Sequence, residues 1–278
     1  MYHIDGWLTP CYSRLDMTVI TLLTDFGLKD GYVGVLKGVI WGIASQVQIA
    51  DITHQVRPQN VLEGALALSR VAAYFPAGTI HLAVVDPGVG TQRRPLAARL
   101  GEHYFVGPDN GLCTLLVESA RQSGAYVEFI HLDRPQFWLP EISKVFHGRD
   151  IFSPVAAHLA NGVALSELGN PISDPKLLEI PHPQRVGDGW RGQVILVDNF
   201  GNLSTNLTRQ QLAGMSPMVV RIAGKQIRGL VNTFGDARPG TLAAMFGEAD
   251  DLTIAVVNGS AAAALSVGAG EPVEVLPG

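Results

Sequence analysis

Thr18-Val19-Ile20-Thr21-Leu22-Leu23-Thr24-Asp25-Phe26-Gly27 is the stretch on which the fold turns. Its first part is β-branched and leucine-rich without alternating charges, as a strand buried on both faces requires. It breaks at Asp25-Phe26-Gly27, a turn signal. Helical spacing follows over 33–43. A second strand over 47–52 leads to Asp51-Ile52-Thr53-His54, a helix covers 61–74, and a third strand over 80–85 runs into Asp86. Strand, helix, strand, helix, strand within about seventy residues predicts a mainly parallel α/β sheet. Ligands bind beyond the carboxyl ends of such strands. Asp25, Asp51 and Asp86 are therefore expected on one edge.

Further along, a hairpin over 97–106, a helix over 112–119, a strand over 126–132 and a helix over 151–161 complete an α/β domain of residues 18–175. Asp150 is placed to cap the last helix. A proline-rich stretch gives a linker at 176–190. Short strands over 192–197, 219–222, 242–245, 252–257 and 272–276, with glycine-rich turns, then predict a small all-β domain of residues 191–278. Residues 261–265 are small and apolar and are assigned no element. Residues 1–17 form an N-terminal arm without the features of a signal peptide.

The 278 residues are 47% apolar and 16% charged, enough for two cores. A net charge of −5 argues against a grip on nucleic acid. No apolar run is long enough to cross a membrane as a helix. Two cysteines, Cys11 and Cys113, make no disulfide framework, so a reducing, cytoplasmic setting is the default.

Three polar segments concentrate the chemistry: Asp86-Pro87-Gly88-Val89-Gly90-Thr91-Gln92-Arg93-Arg94, Gly107-Pro108-Asp109-Asn110-Gly111 and Phe146-His147-Gly148-Arg149-Asp150. Asp25, Asp51, Asp86 and Asp109 with His54 and His147 are types that can ligate a divalent metal, but no ligand-pair spacing supports one. Gly88 and Gly90 can cradle a phosphate or simply make a turn. Asp25 can accept from two vicinal ribose hydroxyls or serve its own turn. His147 can act as a general base or orient a water. Asp198-Asn199-Phe200-Gly201-Asn202 reads as a hairpin turn or as polar groups reaching a ligand; Phe234 can stack on a purine or anchor a loop.

Taken in order, Thr24-Asp25-Phe26-Gly27, Asp51-Ile52-Thr53-His54, the Asp86–Arg94 segment, Pro108-Asp109-Asn110-Gly111, Phe146–Asp150 and Asp198 to Asn202 resemble the S-adenosylmethionine hydroxide adenosyltransferases, relatives of the fluorinases and chlorinases. The resemblance implies hydrolysis of S-adenosylmethionine to adenosine and L-methionine by water or hydroxide attacking ribose C5′, with no cofactor and no metal. It implies a water-handling set of Asp86, Arg93 and His147. It places Asp25 on the ribose hydroxyls, Asp198 on the methionine ammonium, Asn202 on the adenine edge and Phe234 against the purine, with Phe26, Gly148 and Asn258 as further substrate contacts. It also implies a homotrimer with the site between subunits. Asp86 would repel a halide, which separates this chain from the halogenating relatives. The chain departs from the family's pattern at Val257, where an amide is usual, and at Glu248, where serine is common.

Overall fold

The computed structural model describes residues 18–278; the expected arm at 1–17 lies outside them. The chain divides into two compact units, one ending at Leu178 and one running from Glu179 to Gly278.

The first unit is a three-layer α/β/α structure. In chain order it contains β1 (Val19–Thr24), α1 (Tyr32–Ile43), β2 (Gln48–Thr53), α2 (Val61–Ala72), β3 (Ile80–Val84), β4 (Pro95–Leu100), β5 (His103–Pro108), α3 (Thr114–Gln122), β6 (Val127–His131), α4 (Ser153–Ala160) and β7 (Asn170–Pro171). The sheet order is β2-β1-β3-β5-β4-β6-β7. The β2-β1-β3-β5 portion is parallel, as the sequence predicts. β4 runs antiparallel to both β5 and β6, and β7 antiparallel to β6, so the sheet is mixed. The cause is the tight turn at Gly101-Glu102, which can only reverse the chain.

Strand residues alternate between two cores. Ile20, Leu22, Leu82 and Val84 pack on the side carrying Val33 and Ile40 of α1 and Val155 of α4. Leu23, Ala83 and Val85 pack on the opposite side with Leu68 of α2 and Val117 of α3. Asn60 caps α2 by accepting from Glu63 N at 3.0 Å, and Glu63 supplies the acidic first turn.

The second unit holds β8 (Gln184–Val186), β9 (Gly189–Val197), β10 (Leu203–Thr208), β11 (Met218–Ile222), β12 (Lys225–Arg228), β13 (Leu242–Phe246), β14 (Asp251–Val256), α5 (Ala261–Leu265) and β15 (Pro272–Pro277). The order β12-β11-β15-β9-β10-β14-β13 is antiparallel throughout, and its two end strands lie close to each other, so the sheet is nearly closed. Residues 176–190, expected as linker, contain β8 and the start of β9. Gly187-Asp188 makes a two-residue hairpin, with Val186 opposite Gly189 and Gly187 at φ +56°. Residues 261–265 form α5, capped by Ser260, whose hydroxyl accepts from Ala263 N.

On β3 the imidazole of His81 is fully buried. It meets Thr21 Oγ1 at 2.8 Å and His103 at 3.2 Å. Burial, with the neighbouring His103, lowers its pKa to about 4. The folded value lies below the unfolded one, so the unfolded chain binds the extra proton between pH 6.5 and 4. Stability is expected to be full above pH 6.5 and to fall by about 3 kcal/mol as the pH drops through that window. Urea unfolding at a series of pH values checks this; His81→Gln should remove that part of the slope.

Candidate functional site

Strand register fixes which residues meet at the carboxyl edge: β1 pairs evenly with β3, while its pairing with β2 slips by one residue after Leu22, so that Leu23 stands opposite Thr53. Thr24 stands opposite Val84, and Leu22 opposite Asp51. Asp25 and Asp86 therefore follow β1 and β3 at one edge, with Asp51 in the last turn-ward part of β2.

Asp86, Arg93 and His147 converge, although seven and fifty-four residues separate them from the arginine. Arg93 grips Asp86 through two parallel bonds, Nε to Oδ1 at 3.1 Å and Nη2 to Oδ2 at 2.5 Å. Both side chains are at most 5% exposed. Such a fork is among the stronger ion-pair geometries. Nη2 also donates to His147 Nδ1 at 3.0 Å. A guanidinium has no acceptor, so Nδ1 carries the lone pair and the ring proton sits on Nε2. Arg93 Nη1 is buried with no protein partner, leaving a cationic donor to offer. The guanidinium also lies 5.3 Å from the Phe152 ring centre. Burial first, and then the Arg93 charge, lower the pKa of His147 from 6.5, against the opposing pull of Asp86 and Asp150.

Local sequence explains how these side chains arrive. Residues 86–91 fold into two successive turns, with Val89 N donating to Asp86 O and Thr91 N to Gly88 O. Gly90 sits at φ +75°, where an added Cβ would fall 2.2 Å from the Lys144 carbonyl oxygen. Glycine is thus required there by the turn and the close approach to Lys144. His147 precedes a π-helical turn, Gly148–Phe152, that runs into α4. Asp150 does not cap α4. It is fully buried inside the π-turn, pairs with Arg149 at 2.5 Å and accepts from Ser143 N at 2.7 Å. The extra residue of the π-turn moves it away from the helix N-terminus and toward the 143–147 segment.

Arg94 takes the opposite direction from Arg93. It bonds Asp109 at 2.7 Å and Asp174 at 2.9 Å, while Asp109 also accepts from Lys176 N at 2.7 Å. Leu178 N donates to Thr114 Oγ1. Asp109, fully buried, is a clamp on the 174–178 segment. Among the described residues no three His, Cys, Asp or Glu side chains converge as a metal-ligand group. Asp86 and Asp109 each meet an arginine. Burial pushes the Asp51 carboxyl up, but the Lys37 hydrogen bond and the close approach of His54 together outweigh it and hold the pKa below the usual value.

Asp25 keeps one oxygen on Gln59 N at 2.8 Å. Phe26 lies beside Gly148, where an added Cβ would sit 3.5 Å from the ring, and packs edge-on with Tyr32 and Phe146. The sequence reading missed those two aromatic partners; Phe146 immediately before His147 was the available signal. In the second unit, Asp198 and Asn202 share one turn. Asp198 accepts from Phe200 N, Asn202 N and Asn202 Nδ2 at 2.7–2.9 Å. That turn packs on Ser260, against which a Cβ at Gly201 would collide. Asn258 is exposed at φ +55°, and Val257 beside it is buried. Phe234, 46% exposed, sits in a short helical turn between β12 and β13.

The chain matches the model of the SAM hydroxide adenosyltransferase N-terminal domain over residues 20–169 and of the C-terminal domain over 192–274. An (R)-S-adenosyl-L-methionine hydrolase of Thermus thermophilus is 39% identical over 265 residues, covering 94% of this chain and all of the relative. A protein of the same name from Salinispora arenicola is 38% identical over 261 residues, covering 93% and 98%. A fluorinase of an Actinoplanes species is 29% identical over 221 residues, covering 70% and 73%. The crystal structure of an uncharacterized conserved protein from Thermotoga maritima superposes with a TM-score of 0.85 at 37% identity, covering 92% of this chain and 99% of that one. The chain belongs to the SAM hydroxide adenosyltransferase family.

The Asp109 clamp is directly testable. Asp109→Ala removes the buried acceptor shared by Arg94 and the Lys176 amide while Arg94 keeps Asp174, and is expected to cost about 1–3 kcal/mol in urea unfolding.

Proposed function

We propose that this chain hydrolyses S-adenosyl-L-methionine to adenosine and L-methionine. The observation that carries the reading is the buried Asp86–Arg93 pair joined to half-buried His147, with an unspent guanidinium donor. The hydrolase names of relatives 34–39% identical support the same substrate class. Those names specify an R centre. L-methionine already fixes the α-carbon, so the prefix describes the sulfonium, and both sulfonium epimers belong in the assay.

The leaving group is a neutral thioether and needs no acid. The difficulty is the nucleophile, since bulk water has a pKa of about 15.7. Arg93 stays protonated and cannot be the base. Its Nη1 stabilises the oxygen of the attacking water as charge develops. His147 Nδ1 is engaged by Arg93, so His147 donates through Nε2 and orients the water. Asp86 retains free lone pairs on both oxygens and accepts the proton. The reaction requires no cofactor or metal. Asp25 holds the ribose hydroxyls, with Phe26 and Gly148 beside it. Asp198, Asn202, Phe234 and Asn258 contact the methionine and adenine portions.

We also propose a cytoplasmic homotrimer with the substrate held between subunits. What supports association is the outward face of α1, where Val35 and Trp41 are 41% and 48% exposed among Gly34, Gly38 and Gly42, with half-exposed Tyr32 at its rim. Light scattering at the mass of three chains checks this.

Purified protein incubated with substrate is expected to release adenosine and methionine; folded protein that releases neither at any pH from 5 to 9 refutes the reading. Asp86→Ala should lower kcat by about a hundredfold or more; because it also leaves the buried Arg93 without its carboxylate, the rate is measured on protein shown to be folded by circular dichroism. Because the His147 pKa is lowered from 6.5, the imidazole stays neutral through neutral pH. If it carries the acid limb of kcat/KM, that limb falls below pH 6.5, which a pH–rate profile measures.

A further inference from the structure

Beneath the Asp25 turn runs a chain of polar contacts that the water chemistry does not use. Lys37 Nζ on α1 donates to Asp51 Oδ2 at 2.6 Å. Asp51 Oδ1 lies 3.2 Å from His54 Nε2. His54 Nδ1 lies 2.9 Å from Thr24 Oγ1, and Phe26 N–H donates to that same oxygen at 3.2 Å. The His54 carbonyl meanwhile accepts from Gly27 N at 2.7 Å.

Asp51 Oδ1 lies within ion-pair distance of His54 Nε2 without completing a hydrogen bond to it, and the nearby carboxylate favours the ring proton on Nε2, the side away from Thr24. Nδ1 then offers a lone pair, and the Thr24 hydroxyl donates to it. The Thr24 oxygen is left as an acceptor, which is what the Phe26 amide requires. His54 is 3% exposed and Thr24 fully buried, so neither bond is shared with bulk solvent. Threonine, histidine and aspartate in this order mimic a nucleophile triad. Thr24 is not one: its oxygen is sealed inside and already holds the Phe26 amide.

We propose that the buried Thr24–His54 hydrogen-bonded pair, with Asp51 and Lys37 as the charged groups at its outer end, fixes the Asp25–Phe26 turn, making His54 and Thr24 positioning residues for nucleoside binding. His54 holds the turn twice, through Thr24 to Phe26 and through its own carbonyl to Gly27. Asp25, between these anchors, gains a set direction for its free oxygen. The proposal rests on the reading of Asp25 as the ribose carboxylate.

Thr24→Val keeps the shape of the side chain and removes the hydroxyl, and Thr24→Ser puts the hydroxyl back. The primary readout is adenosine affinity by calorimetry, which does not depend on turnover. Thr24→Val is expected to weaken adenosine binding and raise KM by about tenfold while kcat stays within about twofold, and Thr24→Ser to restore both. Asp51→Asn, on the outer end of the chain, is expected to shift KM in the same direction by a smaller factor. Unchanged adenosine affinity in folded Thr24→Val, a fall in kcat with KM unchanged, or failure of serine to rescue would each overturn the proposal. A wild-type chain that does not bind adenosine overturns it as well. One that binds adenosine without hydrolysing the substrate refutes only the reaction, and the affinity comparison still decides the positioning role.

Discussion

Parallel pairing of β1 with β2 and β3 is the constraint on which the polar chemistry rests. It brings the ends of three strands to one edge, although their residues are spread over some sixty positions of sequence. A carboxylate placed just after a strand then needs no further device to reach the others. The same edge receives Arg93 from the chain entering β4 and His147 from the turn entering α4. The glycines of the 86–91 segment and the Arg93-Arg94 pair just before β4 are local solutions to that arrangement, one arginine meeting Asp86 and the other Asp109.

Two ion pairs result, one buried on both sides and one with its arginine part-exposed, with different consequences. The Arg93–Asp86 pair leaves one donor unspent and so remains chemically available. The Arg94–Asp109 pair is closed off by Asp174 and the Lys176 amide, and holds chain rather than ligand. From sequence alone Asp86 and Asp109 look alike, each at the end of an apolar run and before a glycine-containing turn.

The parallel core was legible because β1 and β3 are buried on both faces and so read as largely apolar runs, interrupted only by Thr21 and His81, which bond to each other. β4 was legible as half a hairpin, and its reversal made the sheet mixed. β8 was not legible: Gln184-Arg185-Val186 carries no apolar alternation, and it exists because Gly187-Asp188 can turn the chain back onto β9. α5 was hidden in a run of alanines whose helical state shows only through the Ser260 cap. Asp86, Arg93 and His147 were legible as separate motifs, while their convergence was not. Which nitrogen of His147 holds the proton depends on Arg93 Nη2, a contact across fifty-four residues that no local pattern encodes. Asp51 and His54 were visible as possible ligands, and their role in the Thr24 chain needed the strand register.

The π-helical turn at Gly148–Phe152 gives the bearing of His147 an unusual origin. One residue corresponds to about 100° of rotation around an α-helix. The turn holds one residue more than a regular helix would, so α4 stays seated on the sheet while the chain before it is rotated. The direction of the imidazole is thereby set by the number of residues in a single turn. A change of length there would re-aim it without altering one side chain.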